Sequence, residues 1–265
     1  MMKNNLIYVY CISDRPFEFE VAEDVSGIRT IVFNNFYLIV KDVSDNEYSE
    51  ENFKRNLSNI KWVEANARDH MEVITRNMEN NTVIPFKFGT IYHSEESLKK
   101  FITDYSESFA ENFQNIKDKQ EWSVKIYCNL EILSEQIDEL SEVTAALEKQ
   151  IRVSSPGKAY LLERKKKQLI EEETDRLCKH FGQIYFDEFK MISDSSFLNN
   201  LLPKEYTGRT DTMILNASFL VGKNSVPEFK NISSHQTEKG KPLGFIIETL
   251  GPWPLFSFVS INEKI

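Results

Sequence analysis

The sequence predicts an α+β protein of two domains, and three observations lead to that class. The chain has 265 residues and a mass of 31.0 kDa, long for one compact core and sufficient for two. Apolar residues make up 41% and charged residues 28%, the balance of a globular chain that can bury a core. Strand-like and helix-like segments come in blocks, without the strict alternation of a parallel α/β sheet. A polar stretch at 115–120, followed at once by a strong strand, puts the domain boundary between residues 119 and 120.

The first domain, 1–119, opens on an apolar run from Leu6 to Ile12 that stops at Ser13-Asp14-Arg15-Pro16. That run is too short for a secretory signal and has no small-residue cleavage site, so it reads as a buried first strand. Phe17 to Gly27 is acidic and turn-rich. Ile31 to Phe33 and Phe36 to Val40 read as a hairpin turning at Asn34-Asn35, because Asn tolerates positive φ. Ser49 is placed to cap a helix with Glu50 and Glu51 in its first turn, where the helix dipole favours acids. The stripe Phe53, Leu57, Ile60, Val63 and Ala67 predicts its buried face, extended by His70, Val73, Ile74 and Met78 to a stop at Asn80-Asn81. Thr82 to Tyr92 alternates like a strand. Pro85 cannot donate to a ladder and Gly89 cannot pack a side chain, which places this segment at a sheet edge or across a bulge. Ser94 then begins a helix through Phe101, Tyr105, Phe109 and Phe113.

The second domain, 120–265, starts with a strand whose Trp122, Val124, Ile126 and Cys128 share one face. Leu130, Leu133, Ile137, Leu140, Leu147 and Ile151 follow as a heptad-like seam, interrupted where Thr144 takes an apolar position. The interruption argues against a long self-associating coiled coil, and the seam can close within one chain or between two. Ser154 to Gly157 breaks the helix, and Pro156 suits the first turn of the next, which runs to about Met191. The first arm is acidic and the second begins with Arg164-Lys165-Lys166-Lys167. This pattern predicts an antiparallel hairpin over about 131–191, with the basic run as a solvated face paired to the acidic arm. A weak strand at 195–202 and a strong one at 212–221 follow. A short helix at 226–234 begins at Pro227, and a last strand from Gly244 runs through Gly251-Pro-Trp-Pro254 towards Val259. The order β, helical hairpin, β, β, α, β is that of a modified ferredoxin-like fold with the hairpin inserted in its first crossover.

Composition excludes several functions. Lys and Arg number 32 against 41 Asp and Glu, for a net charge of −9 and a pI near 5.2. That balance disfavours the broad basic footprint of a nucleic-acid or membrane-surface binder. No apolar window reaches transmembrane length, so a soluble cytoplasmic protein is expected. Cys11, Cys128 and Cys178 make an odd number without a CxxC pair, which predicts reduced, partly buried thiols. Neither GxGxxG nor GxxxxGK[ST] occurs, and no GxSxG elbow is present. His70, His93, His180 and His235 stand apart from one another, with no metal-ligand spacing. Paired acids such as Glu18/Glu20 and Glu95/Glu96 suit solvated loops and helix starts. No catalytic residue, cofactor or metal site is therefore assigned.

Two segments are chemically unusual. Ile84-Pro85-Phe86-Lys87-Phe88-Gly89 sets a lysine between two aromatics, as an edge lysine with its stem over a ring or as a partner contact. Gly251-Pro252-Trp253-Pro254 is a rigid, aromatic strand interruption; it serves as a bend in an edge strand or as a docking anchor built on Trp253.

Six segments, in order, resemble the gas vesicle GvpL/GvpF family. They are Ile7-Tyr8-Val9-Tyr10; Thr82-Val-Ile-Pro-Phe-Lys-Phe-Gly-Thr90, similar to the family's "t-V-l-P-m-r-F-G-T"; Glu121-Trp-Ser-Val-Lys-Ile-Tyr127; Pro156-Gly-Lys-Ala-Tyr-Leu161; Leu215-Asn-Ala-Ser-Phe-Leu-Val221; and Gly251-Pro-Trp-Pro-Leu-Phe-Ser-Phe258. Lys87 stands where the family usually has Arg, and Leu255 where another Pro is frequent. A lysine there offers a point contact to an anion instead of a fork. The resemblance implies a non-enzymatic accessory protein of gas vesicle assembly, located in the cytoplasm and at the vesicle. Its implied partners are the major shell protein and other vesicle accessory proteins.

On that footing the candidate partner-binding residues are Pro85, Phe86, Lys87, Phe88, Trp253, Leu255 and Phe256. The candidate surfaces are the sheet edges at 83–92 and 245–259, which could pair with a strand of the shell protein, and the hairpin 131–191. Alternatives are a minor structural component of the finished vesicle, or a ligand-sensing ferredoxin-like module with a pocket near Lys87, Glu121 or Tyr160.

Overall fold

A computed structural model describes residues 5–17 and 27–261. The turn-rich segment after Phe17, with Glu18 and Glu20, and the lead-in through Asn4 lie outside the described residues. The chain divides into two compact units: residues up to Glu121 together with those from Pro252 on, and Trp122–Gly251. The C-terminal segment therefore belongs with the first unit, not with the second domain in which the sequence places it.

The first unit contains β1 (Asn5–Ser13), β2 (Ile28–Phe33) and β3 (Phe36–Ser44). Next come α1 (Asp45–Tyr48), α2 (Glu50–Asn56) and α3 (Ile60–Met78). β4 (Val83–Pro85), β5 (Ile91–Tyr92), α4 (Glu95–Asp104) and α5 (Ser106–Ile116) complete it. The sheet order is β2-β3-β1-β4, with β5 also on β1. Asn34 and Asn35 take φ of 50° and 64° between the paired Phe33 and Phe36, the two-residue turn that the Asn pair predicts. Two predicted helices are each divided. Ser49 caps α2, but Asn59 caps a new helix by accepting from the Trp62 N–H, and Leu57 and Ile60 at the break are exposed. A side-chain amide able to replace the backbone acceptor ends one helix and starts the next. Likewise Tyr105, at φ −115° and ψ 16°, separates α4 from α5. The core joins Leu6, Tyr8, Tyr10, Cys11 and Ile39 of the sheet to Val73 and Ile74 of α3.

The second unit is built on β6 (Lys119–Cys128), β7 (Ser195–Leu198), β8 (Thr212–Gly222) and β9 (Phe245–Trp253), in the order β7-β8-β6-β9. Between β6 and β7 lie α6 (Leu130–Glu135), α7 (Ile137–Leu140), α8 (Glu142–Arg152) and α9 (Pro156–Met191). α10 (Lys204–Thr207) precedes β8, and α11 (Val226–Gly240) links β8 to β9. The acidic arm predicted as one helix is thus three. Ser141 caps α8, and the Thr144 hydroxyl, fully buried, bonds the carbonyls of Ile137 and Ser141. The polar residue that flaws the seam closes the break between α7 and α8. The seam itself closes inside the chain: Leu133, Ile137 and Leu177 sit in one core with Val124, Ile126, Phe189, Phe219 and Phe229. Gly182 lets α9 approach β8, since a Cβ there would meet the Ile214 carbonyl at 2.8 Å. α11 runs past the predicted end at Ser234, whose hydroxyl bonds back to the Lys230 carbonyl, as Thr237 does to Ser233.

Candidate functional site

The segment 83–92 forms the far edge of the first sheet in two short pieces. β4 pairs with β1 at Cys11↔Pro85, Ile12↔Ile84 and Ser13↔Val83, and β5 pairs at Ile7↔Tyr92 and Tyr8↔Ile91. A bulge in β1 between Val9 and Cys11 falls opposite the gap, where the Phe86 N–H donates to the Tyr10 carbonyl at 2.9 Å. The gap is a tight loop. The Thr90 hydroxyl and N–H both reach the Lys87 carbonyl, at 2.7 and 3.1 Å. Gly89 takes φ +82°, and its N–H donates to the Tyr8 hydroxyl at 3.3 Å.

His70 of α3 holds this loop from below. Its Nε2 is 3.0 Å from the Phe86 carbonyl and its Nδ1 is 2.9 Å from the Tyr8 hydroxyl. A carbonyl only accepts, so Nε2 carries the proton, Nδ1 is the acceptor, and Tyr8 donates to it. With Tyr8 donating, the relay Gly89 N–H, Tyr8 hydroxyl, His70, Phe86 carbonyl is that of a neutral imidazole, the form that burial favours. Burial lowers the His70 pKa and raises those of Tyr8 and Tyr10. Above the ordinary value near 6.5 neither folded nor unfolded His70 is charged. As pH falls below it, the unfolded state takes the proton first, and stability declines until the folded pKa is passed. The denaturation midpoint is accordingly expected to fall between pH 7.5 and 5. His70→Gln should start lower and show a shallower slope; an unchanged slope would remove His70 as the cause.

The motif's side chains divide by depth. Pro85 and Phe86 are buried, Phe86 against Phe101 and Phe109 at 6.2 and 6.4 Å between ring centroids. Phe88 is half-buried among Tyr8, Phe53, Trp62 and His70. Only Lys87 stands in solvent. Val83 to Phe86 have almost no accessible surface, backbone included, so this edge is not open for strand addition. Pro85 and Phe86 are corrected from contact residues to core.

The C-terminal segment divides in the same way. Trp253 and Phe256 are 41% and 40% exposed, whereas Pro254 and Leu255 are buried. Leu255 is thus an anchor of the segment and not a docking residue. β9 ends at Trp253 and does not continue towards Val259. The path beyond is fixed by side chains that take the place of a ladder. The buried Glu121 carboxylate accepts from the Ser257 N–H at 3.1 Å and the Ser257 hydroxyl at 2.6 Å. The Asn112 amide donates to the Ser260 carbonyl at 2.8 Å and accepts from its N–H at 3.4 Å. The sequence places Glu121 at the start of a strand and, in the ligand-sensing alternative, near a pocket, but no local signal ties it to a residue 136 positions away.

The second unit has two edges. On β9, Ile246 and Leu250 are exposed; on β7 and the loop after it, Phe197, Leu198, Leu201 and Tyr206 are. The loop lies over the sheet through Asn199 to the Ser218 hydroxyl and Asn216 to the Asn200 carbonyl, and Arg209 stacks 4.4 Å from the Tyr127 ring while pairing with Glu248. On the hairpin, Lys166 bridges Asp138 and Glu148 at 2.5 and 2.8 Å, so the expected pairing of the basic run with the acidic arm is made by one of its four cations.

A depression lined by Tyr8, Tyr10, Tyr48, Asn66 and Asp69 has room for about 20 Å³, one water molecule. Of the three residues suggested for a ligand pocket, Lys87 tops its loop, Glu121 is engaged by Ser257, and Tyr160 is exposed on α9. Among the described residues no group of three or more His, Cys, Asp or Glu is placed to hold a metal ion, and no helix is long and apolar enough to cross a membrane. Cys11, Cys128 and Cys178 are free and buried, and burial raises the Cys11 pKa to about 12.

The family model described as gas vesicle synthesis protein GvpL/GvpF matches residues 6–260. Gas vesicle protein L of Streptomyces sp. (strain CB03234) is 21% identical over 269 residues, covering 100% of this chain and 96% of that protein. The crystal structure of gas vesicle protein GvpF from Anabaena sp. PCC7120 aligns with a TM-score of 0.70 at 18% identity, over 97% of this chain and 99% of that one. The GvpF structure from Microcystis aeruginosa aligns with a TM-score of 0.63, also at 18% identity, over the same shares. At that identity the likeness is one of fold.

Proposed function

The chain belongs to the gas vesicle synthesis protein GvpL/GvpF family, and from that premise we propose that it is a non-enzymatic accessory protein of gas vesicle assembly. In this reading it binds the major shell protein, and other vesicle accessory proteins, during nucleation or growth of the shell. The observation that carries the reading is the family match over 6–260, joined to a likeness of fold with two GvpF structures over nearly the whole chain. The strand order β7-β8-β6-β9 supports a modified ferredoxin-like second unit, because a βαββαβ chain sets its strands in the order second, third, first, fourth.

The surface fits a carrier of apolar strands. Shell subunits that associate without limit need their apolar edges covered before assembly, and an exposed strand edge does this by adding one rung to its sheet. β9 is such an edge, with Ile246, Leu250 and Trp253 exposed along it and Phe256 just beyond. Lys87, exposed at the top of its loop, is a second contact point. The net charge of −9 keeps a loaded complex dispersed.

Co-expression with the major shell protein, followed by affinity capture of this chain, tests the reading. Shell protein should be retained in soluble complex, and retention should fall several-fold for Trp253→Ser/Phe256→Ser. Loss in Lys87→Glu alone would move the contact to the 86–90 loop. Recovery of the chain without shell protein, with the other vesicle proteins present, would overturn direct binding.

A further inference from the structure

The tip of the helical hairpin differs from the rest of the chain in charge. Residues 149–167 hold seven Lys and Arg against one acid, Glu163, on a chain of net charge −9. Only part of this charge is used internally: Lys166 is held by Asp138 and Glu148, and Arg152 by Glu148 at 3.1 Å. Arg164, Lys165 and Lys167 are exposed and have no ion-pair partner among the described residues. In the same stretch three apolar side chains stand in solvent, Val153 at 87%, Tyr160 at 62% and Leu161 at 65%.

Helical spacing orders these groups. Ala159, Leu162, Lys166 and Leu169 are the partly buried positions of this stretch of α9, on the side that packs against α8. Tyr160, Arg164 and Lys167 repeat at i, i+4 and i+7 on the opposite side, and Leu161 and Lys165 form the adjoining stripe. Each stripe thus begins with an apolar group near the turn and continues with cations. Both change sign soon after, at Glu171 and Glu172. The basic face from Tyr160 to Lys167 is roughly 11 Å long.

We propose that this tip docks a short acidic amphipathic helix of a partner protein, its aliphatic side chains on Val153, Tyr160 and Leu161 and its carboxylates on Arg164, Lys165 and Lys167. The charge pattern selects that occupant. A duplex or an anionic bilayer is an extended polyanion that would meet Glu171 and Glu172 beyond the basic face, and a phosphate backbone leaves the three apolar groups without contacts. A short helix matches the length of the face and both of its chemistries. The surface differs from the β9 edge, and the inference stands whether or not the shell protein binds there.

The test uses the full chain and a fluorescein-labelled peptide with Leu on one helical face and Glu on the other, followed by anisotropy. Vesicles containing phosphatidylserine and a duplex DNA oligonucleotide are titrated in parallel. The peptide should bind saturably, more weakly as salt is raised. Affinity should drop about tenfold in Arg164→Glu/Lys165→Glu/Lys167→Glu, the scale of three exposed ion pairs reversed, and also in Tyr160→Ser/Leu161→Ser. All five positions are exposed, so unchanged circular dichroism should accompany the loss. Absence of peptide binding, equal binding by both variants, or tighter tip-dependent binding to vesicles or DNA would overturn the proposal.

Discussion

Gly89→Ala should lower the stability of the first unit by about 3 kcal/mol, from two costs that arise independently. Gly89 sits at φ +82°, where a Cβ alone costs roughly 1–2 kcal/mol. That Cβ would also lie 2.5 Å from Cζ of Phe53, which is itself wedged between Tyr48, Trp62 and Phe88. The ring cannot withdraw without disturbing the cluster, and overpacking of this kind costs about 1–3 kcal/mol. Chemical denaturation of the single variant and of Phe53→Leu/Gly89→Ala separates the two. The smaller Leu relieves the contact but leaves the dihedral cost, so the second substitution should recover part of the loss. Full recovery would assign the whole effect to packing, and a stability equal to wild type in Gly89→Ala would mean that the loop rearranges freely. The rearrangement matters beyond stability, because the same turn fixes Lys87 at its apex through Thr90 and holds the Phe86 carbonyl on His70.

The Thr82–Thr90 segment also shows what a sequence reveals and what it conceals. Pro85 and Gly89 announce an edge with irregular pairing, and the structure has an edge strand in two pieces across a bulged neighbour. Alternation could not say that the edge is covered, since burial of Val83 to Phe86 depends on α3 and α5, whose packing is non-local. The long helices fared similarly. Apolar periodicity located them, but Asn59 and Ser141 cut two of them by side-chain capping, which competes with propagation on a scale of about 1 kcal/mol that a periodic pattern does not register, and a third is broken at Tyr105 without a side-chain cap. His70 was legible as a position on an apolar stripe, not as the hub of a relay, for its partners Tyr8 and Phe86 come from other elements. Of the seven residues named for partner contact, Lys87, Trp253 and Phe256 are exposed, Phe88 is half-buried, and Pro85, Phe86 and Leu255 are interior. Motif recognition finds the segment; only packing decides which of its side chains point outward.

Glu121→Ala should release the C-terminal segment locally, at a cost of about 2–4 kcal/mol. The substitution leaves the Ser257 N–H and hydroxyl without their carboxylate and opens a void at a buried position. Glu121→Gln keeps the shape and one acceptor but loses the charge, so its cost should be smaller. Hydrogen exchange at the Ser257 and Phe258 amides reads the effect directly: protection should fall in the order wild type, Gln, Ala, while the β1–β3 amides keep theirs. Equal loss across the first unit would instead make Glu121 a determinant of global folding. The functional consequence follows from geometry. Trp253 and Phe256 flank the buried pair Pro254 and Leu255, and Glu121 fixes the chain immediately after them. If these rings carry the contact with the shell protein, Glu121→Ala should reduce capture although Glu121 is itself buried, and should do so in proportion to the loss of protection at Ser257. Capture unchanged with the segment released would place the contact on β9 upstream of Trp253, at Ile246 and Leu250, where the strand is held by β6 independently of Glu121.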